Sequence, residues 1–412
     1  MLLRTVSVAG FKSIKNQRLD LGRVNIFVGQ NGAGKSNILE AIAMLSSAVS
    51  GGITYPSLSA RGVRLSSPSV YRSALGYAHR PKYFDLSAEF EGIKYHCNIY
   101  TSDQTLTDKA AWTFHSESLS TKNARGKWEK KAGRSGNGIR IFGQPFEKTK
   151  IGSDQSIMPF LGLLGDISSD SQSALQSLEA FSIYSPFTNI LRGVASDDSL
   201  KQPLGLYGGG LAEAMKEILK GRNHDEILRF FSMLPWFRGI SIRKPDASLK
   251  AKHVGMGESV LAFSDRFMTN DFNKLYSADV SEGALYVSFI LALMLHPSTP
   301  RLFAFDNVDS TLNPGLVKNI VQHIAELAEK CDKQVILTTH NPTALDAVDI
   351  FNPDHKIFIV ERNLETGETE ATNIKPPSDM TREQWNNEYG DAKLSELWLD
   401  GFLGGMTPPE QF

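Results

Sequence analysis

Cysteine is nearly missing from this chain: there are two in 412 residues, Cys97 and Cys331. So far apart, they offer no disulfide framework and no metal-ligand spacing, which fits a reducing compartment. Charge of one sign is missing too. Lys and Arg number 44 against 45 Asp and Glu, a net charge of −1. That is not the overall composition of a nucleic-acid binder, so only a local patch is left for such a role. Long apolar runs are absent. The longest, Ala284 to Leu295, contains Tyr286 and Ser288 and is too short to cross a bilayer, so it reads as a buried helix and no membrane span is expected. The opening Met1 to Val8 alternates like a strand and lacks a signal-peptide core, so a cytoplasmic protein is expected. Sustained heptads and repeat periods are lacking as well, which excludes a long coiled-coil arm and a solenoid.

What is present is a glycine-rich octet. Gly29-Gln30-Asn31-Gly32-Ala33-Gly34-Lys35-Ser36 spells G-x-x-x-x-G-K-S, the phosphate-binding P-loop. Val24 to Val28 before it reads as a buried strand, and Ser36 to Leu45 has helical spacing. Strand, loop and helix are the setting the motif needs. Its glycines let backbone N–H groups close around phosphate oxygens, at a helix N-terminus that favours negative charge. Lys35 can reach the β- and γ-phosphates, and the Ser36 hydroxyl can ligate Mg²⁺. Asn273-Lys274-Leu275-Tyr276 lacks the aspartate of a guanine-recognition motif, so ATP is expected rather than GTP.

Elsewhere the chain alternates between extended and helical patterns. Phe11 to Lys15 interrupts two opening strands, and 49–80 is rich in Ser, Gly and Pro. Phe84 to Phe90 and Tyr95 to Tyr100 alternate on either side of Glu91-Gly92, a hairpin pattern. Residues 119–150 carry Lys122, Arg125, Lys127, Lys130, Lys131, Arg134, Arg140, Lys148 and Lys150 against Glu129 and Glu147, with Trp128, Phe142 and Phe146 interleaved. Two readings stand: a solvated β-loop, or a nucleic-acid contact in which the cations neutralise phosphates and the aromatics stack. Gly208-Gly209-Gly210 precedes an amphipathic helix starting near Leu211 and reads as a hinge or tight turn rather than a second phosphate loop. Leu302 to Phe305 is a buried strand ending in Asp306. Asn313-Pro314 caps the helix that follows, whose Leu316, Ile320, Ile324 and Leu327 share one face. Gln334 to Thr339 is another buried strand, ending at His340, and Ile357 to Val360 is a third, leading into a hairpin over 361–373. Leu394 to Leu399 reads as an amphipathic helix docking on the core.

A strand-end aspartate is common alone, but two signals flank Asp306. Ser281-Glu282-Gly283 lies 25 residues earlier and opens a long helix, and His340 lies 34 residues later. This order resembles the ABC-type ATPase head: P-loop, large insertion, signature serine, Walker B aspartate, D-loop, switch histidine. The soluble branch of RecF, SMC and OLD-like ATPases is the most similar, over 1–48 and 270–362. Val8-Ala9-Gly10-Phe11-Lys12-Ser13-Ile14 resembles that branch's opening strand and turn. Ser310-Thr311-Leu312-Asn313 resembles the D-loop, and Thr338-Thr339-His340-Asn341-Pro342 the switch strand.

The resemblance implies an α/β fold: a P-loop NTPase of ABC-ATPase head type, with a mixed sheet, a β-rich N-terminal lobe, a compact inserted α/β region and no long coiled coil. Four parts are expected: an N-terminal ATPase lobe with P-loop, hairpin and basic loop over 1–150, a mainly helical insertion over 151–265, a C-terminal ATPase lobe over 266–365, and a tail over 366–412. ATP and Mg²⁺ are the implied ligands. Lys35, Asp306, Asn307 and His340 are the implied catalytic residues, with Ser36 and Asp306 on the metal. Gly29, Gln30, Asn31, Gly32, Ala33, Gly34, Lys35, Ser36, Asn37 and Lys12 would contact the nucleotide. In this family each nucleotide lies between one P-loop and another subunit's signature helix, so Ser281 and Gly283 would touch the γ-phosphate of the opposite protomer. A homodimer or higher homo-oligomer follows.

One residue departs from the family pattern. Asn307 stands where a glutamate usually orients the attacking water, and an amide cannot take a proton as a carboxylate can. Either hydrolysis is slow, or Asp309 or a partner's residue restores it. Beyond Val360 there is no D-x-D strand pair and no H-N-H signature, so no nuclease is expected within the chain. Two roles compete for this ATPase: a sensor or scaffold of the PARIS-like, anti-phage kind that controls a separate nuclease or toxin, and a RecF-like DNA-repair ATPase that binds duplex DNA directly. The near-neutral charge and missing arms favour the first.

Overall fold

The chain opens with a hairpin, β1 (Leu3–Phe11) and β2 (Ile14–Asp20), and then enters β3 (Val24–Val28), whose five residues are all buried. Such a run belongs to a strand covered on both faces. In this computed structural model all residues are described except 78, 102–111, 147–150, 164–166, 200–201, 222–223, 245–258, 378–379, 391 and 404–412. After β3 come α1 (Lys35–Val49) and α2 (Tyr55–Ser59). Six strands follow: β4 (Tyr83–Phe90), β5 (Ile93–Thr101), β6 (Trp112–Lys122), β7 (Trp128–Ser135), β8 (Gly138–Ile141) and β9 (Gln144–Phe146). With β1 and β2 they form an eight-stranded antiparallel sheet in the order β2-β1-β4-β5-β6-β7-β8-β9. The hairpin expected around Glu91-Gly92 is there, with Glu89 opposite Lys94. The basic stretch forms β6 to β9, and its positions 147–150 lie outside the described residues.

The middle of the chain supplies α3 (Ser169–Glu179), β10 (Ile183–Tyr184), α4 (Thr188–Leu191), α5 (Leu211–Lys220) and α6 (His224–Phe231). A small sheet of β11 (Phe237–Arg243), β12 (Val260–Asp265) and β13 (Leu275–Tyr276) follows. The last third alternates α7 (Glu282–Leu295), β14 (Leu302–Phe305), α8 (Pro314–Lys330), β15 (Gln334–Thr339), β16 (His355–Arg362) and β17 (Thr369–Ile374), and ends in α9 (Arg382–Tyr389) and α10 (Leu394–Leu399). A six-stranded mixed sheet, β10-β14-β15-β3-β16-β17, gathers β3 with these late strands. Its neighbours run parallel except β17, which returns antiparallel to β16.

Alternation along each parallel strand separates two cores. Phe27, Leu302, Ala304, Ile336, Phe358 and Val360 face α1 and the eight-stranded sheet beyond it. Ile26, Phe303, Phe305, Leu337, Ile357 and Ile359 face the opposite layer, where α5, α6, α7 and α8 pack. Helix α7 is buried from Ala284 to Met294, as a helix apolar on all sides must be. Each fully buried Leu, Ile or Phe in these layers contributes roughly 1.5–3 kcal/mol. Among the described residues the longest helix is α8, at 17 residues, and no helix is long and apolar enough to cross a membrane. At the C-terminal side α10 rests on residues 342–347: Ser395 donates from its backbone N and its Oγ to the two oxygens of Asp346, at 2.9 and 2.8 Å, and Trp398 is buried.

Lys333, just before β15, is buried, and its ammonium ties that strand to the turn after α7. It donates to Thr299 Oγ1 at 2.6 Å and to the Thr299 carbonyl at 3.2 Å. Burial pushes its pKa down to about 8 from 10.5. The folded chain therefore gives up this proton near pH 8, while the unfolded chain holds it to about pH 10.4. Between those values the unfolded state binds more protons, so stability should rise with pH. The cost of the buried charge, on the order of 3 kcal/mol, should be relieved across that window. Thermal unfolding at pH 8 and pH 10 checks this: the rise in Tm attributable to this lysine should vanish in Lys333→Met.

Candidate functional site

Parallel pairing brings three strand ends to one edge. Phe27 and Val28 of β3 lie opposite Thr338 and Thr339 of β15, and Phe305 of β14 lies opposite Leu337. Gly29, His340 and Asp306 therefore leave the sheet side by side at the carboxyl ends of its strands, where open α/β sheets bind ligands.

The loop between β3 and α1 is held by close approach. A Cβ on Gly29 would lie 2.0 Å from the Val360 carbonyl oxygen, and one on Gly34 would lie 2.0 Å from Thr369 Oγ1. Gly32 and Gly34 also have φ of 83° and 108°, a region that favours glycine. A chain of small polar groups buttresses the loop from beneath. Asn37 Nδ2 donates to Ser13 Oγ at 2.7 Å, Ser13 Oγ lies 2.6 Å from Thr369 Oγ1, and Thr369 Oγ1 donates to the Ala33 carbonyl at 2.8 Å. These contacts lock the first turn of α1, the β1–β2 turn and the start of β17 to one another.

Lys35 is buried, and its Nζ donates to the carbonyls of Gly29 at 2.7 Å and Gln30 at 2.9 Å. Burial lowers its pKa, opposed by Asp306 and Asp309. Ser36 Oγ lies 3.0 Å from Asp306 Oδ2, although 270 residues separate them. Thr338 Oγ1 completes the join, donating to Asp306 Oδ1 at 2.5 Å and accepting from the Asn307 amide at 2.8 Å. Asn307 itself has φ of 55°, a left-handed conformation in which asparagine is enriched and most side chains are strained.

Of the remaining expected residues, His340 is about half exposed, with Nδ1 3.2 Å from Asp309 Oδ2. The ammonium of Lys12 pairs with Glu40 of α1 and lies 4.9 Å from the Tyr71 ring centroid. Ser281 and Glu282 are exposed at the start of α7, and Gly283 is half-buried. Ser281 caps the helix by position only, without a side-chain bond. Among the described residues no hydrogen bond joins Ser281 to the P-loop of the same chain. The triple glycine turn is already filled: Asp197 Oδ2 accepts from the N–H groups of Tyr207 and Gly209 at 3.0 and 2.9 Å.

Sequence reasoning passed over Thr369, Glu40 and Arg64. Arg64 Nε donates to Glu40 Oε1 at 2.7 Å, its NH2 group reaches Asn37 Oδ1 at 3.3 Å, and the guanidinium feels the charge of Asp306. It lies in the Ser- and Gly-rich stretch, where no periodicity marks one residue above its neighbours. For a triphosphate the residues fit. The loop has glycines where a Cβ has no room and a buried ammonium that, among the described residues, donates to two carbonyls. For Mg²⁺ the chain offers Ser36 and Asp306, and among the described residues no cluster of three His, Cys, Asp or Glu forms a metal cage. The remaining ligands of such an ion would be nucleotide oxygens and water.

Comparison with known proteins agrees with this geometry. A family described as "AAA domain" matches residues 5–226, and one described as "AAA domain, putative AbiEii toxin, Type IV TA system" matches residues 162–346. No curated protein matches the sequence. Among solved structures, an SMC head bound to the C-winged helix domain of ScpA is 16% identical, with a TM-score of 0.52 over 92% of this chain and 100% of that one. It shares the head-type P-loop fold. An SMC head domain from Thermotoga maritima is 13% identical, with a TM-score of 0.43 over 91% of this chain and 100% of its own. An Smc head with coiled coil and joint from Pyrococcus yayanosii is 11% identical, at 0.46 over 90% and 97%.

The loop geometry makes a sharp prediction. Gly34→Ala should collide with Thr369 and add roughly 1–3 kcal/mol of backbone strain. Calorimetric titration with ATP and Mg²⁺ should show binding lost, together with a lower Tm; wild-type affinity would contradict the assignment.

Proposed function

The chain belongs to the AAA domain family, as an SMC-like, ABC-type P-loop ATPase, and from that premise we propose that it holds ATP in half of a composite site that a second copy completes. The observation that carries this reading is a division of labour. Lys35, Ser36, Asp306, Thr338 and His340 converge at one sheet edge, while Ser281 stands exposed at the start of α7 with no side-chain cap bond among the described residues. A helix N-terminus with free N–H groups is suited to an anion, and in this reading the anion is the γ-phosphate held by the partner.

In the proposed site, backbone N–H groups from Gly29 to Asn37 cradle the phosphates. Lys35 exchanges its two carbonyl acceptors for β- and γ-oxygens, and His340 senses the γ-phosphate. Lys12, held by Glu40 of α1, contacts the nucleotide from the β1–β2 turn, and Gly283 lets the partner's phosphate approach the α7 backbone. Mg²⁺ on Ser36 and Asp306 would neutralise phosphate charge. Hydrolysis adds water to the γ-phosphorus as its bond to the β-bridging oxygen breaks, giving ADP and phosphate, and the water's proton needs an acceptor. Asn307 cannot be that acceptor. Its left-handed backbone suits asparagine better than the longer glutamate. We therefore propose slow turnover and a long-lived ATP-bound dimer, built from the four parts 1–150, 151–265, 266–365 and 366–412.

Such a dimer acts as a sensor or scaffold for a separate nuclease or toxin in anti-phage defence. The toxin–antitoxin wording of the family matched over 162–346 supports that role. Direct duplex binding, as in RecF-like repair, is the second reading. It has one observation in its favour: Lys122, Arg125, Lys127, Trp128 and Lys130 are all exposed at the β6–β7 turn. Against it, the Trp128 ring is already taken by Lys122 Nζ, 5.0 Å from its centroid.

Three measurements test these proposals. Lys35→Ala should abolish ATP binding, and unchanged affinity would refute the site. Light scattering should show wild-type protein dimerising with ATP and Mg²⁺. Ser281→Arg should bind ATP normally yet stay monomeric; dimerisation of that variant would remove Ser281 from the interface. Duplex-DNA affinity that falls steeply with salt, as several phosphate contacts require, would favour the repair reading.

A further inference from the structure

Asp309 is the least comfortable side chain near the site. It is 1% exposed, and among the described residues neither of its carboxylate oxygens accepts a hydrogen bond. A buried carboxylate without donors is costly, and native chains keep such groups where they serve a function. Two basic side chains are close. Lys35 feels its charge across the site, but the Nζ of Lys35 is engaged by Gly29 and Gln30. The other is His340, whose Nδ1 lies 3.2 Å from Oδ2, within ion-pair distance but not aligned as a hydrogen bond.

We propose that Asp309 is the positioning residue for His340: its carboxylate, 3.2 Å behind Nδ1, fixes the ring so that Nε2 faces the γ-phosphate. The two N–H directions of an imidazole diverge, so a ring anchored through Nδ1 must aim Nε2 away from Asp309. A carboxylate behind a histidine sets the orientation of the ring in this way. The placement of Asp309 serves that task. It follows Asp306 by three residues in the segment whose Val308 amide donates to the Thr338 carbonyl at 3.0 Å, so the aspartate is carried by the same strand pair that carries the histidine. The half-exposed His340 has no other anchor of this kind on its ring among the described contacts. Asp309 does not replace Asn307 as proton acceptor in this scheme, because its effect passes through the histidine.

The proposal rests on the reading of His340 given above, and a double-variant cycle separates the two. Turnover and KM for ATP are measured with the full chain and Mg²⁺ for wild type, Asp309→Asn, His340→Ala and the double variant, with Tm for each. Asp309→Asn should lower kcat by roughly ten- to a hundredfold, with KM for ATP changed less than threefold. Its Tm should stay close to that of wild type, because neither carboxylate oxygen accepts a hydrogen bond that the substitution would break. In the His340→Ala background the same substitution should change kcat less than twofold. A loss of several degrees in Tm would make Asp309 structural, and an equal loss of kcat in both backgrounds would show it acting on its own; either overturns the proposal. If His340→Ala alone turns over ATP like wild type, the sensing role of His340 falls, and this inference with it. Asp309→Ala provides a second variant should Asp309→Asn not fold.

Discussion

Everything at this site depends on the lateral pairing of β3 with β15. Five residue pairs, from Val335 and Val24 to Thr339 and Val28, fix its register. That register decides which side chains emerge together at the sheet edge. A slip of one residue would reverse the alternation on which both cores rest. It would turn Phe27 away from α1 and Ile26 away from α7 and α8, and would carry Thr338 off Asp306. The apolar layers therefore do more than stabilise the sheet. They hold Thr338 where a single hydroxyl bridges the carboxylate of Asp306 and the amide of Asn307.

The electrostatics of the edge follow from the same geometry. One ammonium, Lys35, faces two carboxylates, Asp306 and Asp309; Lys35 and Asp309 are buried and Asp306 is half-buried. Burial lowers the pKa of Lys35 and the two aspartates oppose that shift, so the group is held between opposed forces. A polyanion held with a metal would shift this balance, offering the lysine acceptors in place of the Gly29 and Gln30 carbonyls and setting positive charge before Asp306. Glu40 is the counterpart on the other side of α1, buried and neutralised by Lys12 and Arg64.

Periodicity revealed most of the architecture. Runs such as Val24 to Val28 and Gln334 to Thr339 carry their burial in composition alone, and Asn313-Pro314 marks a helix start that the structure reproduces, with Asn313 Oδ1 accepting from the Leu316 amide. The P-loop, Asp306 and His340 could be picked out because each ends an apolar strand. Other parts were hidden for physical reasons. Thr369 acts through a hydroxyl at the start of an ordinary hairpin strand, and its role exists only because Gly34 lacks a Cβ. Arg64 sits where no period singles it out. The pairing of Lys12 with Glu40 joins positions 28 residues apart that only the packing of α1 on the first hairpin brings together. The eight-stranded sheet was seen as hairpins, but its order depends on pairings such as β1 with β4, whose partners lie some eighty residues apart in sequence.

The strand pairing also has a consequence for the order of assembly. The glycine loop is complete within the first 36 residues, yet β3 bonds to strands that begin at Gln334 and His355. Contacts of such sequence separation form slowly, since a long loop must close first. During vectorial synthesis the P-loop leaves the ribosome long before Asp306, Thr338 or Thr369 exists. A nascent chain thus carries the motif without the site, with the Ile26 face of β3 awaiting α7 and α8, and nucleotide affinity is a property that the last strands confer on the first.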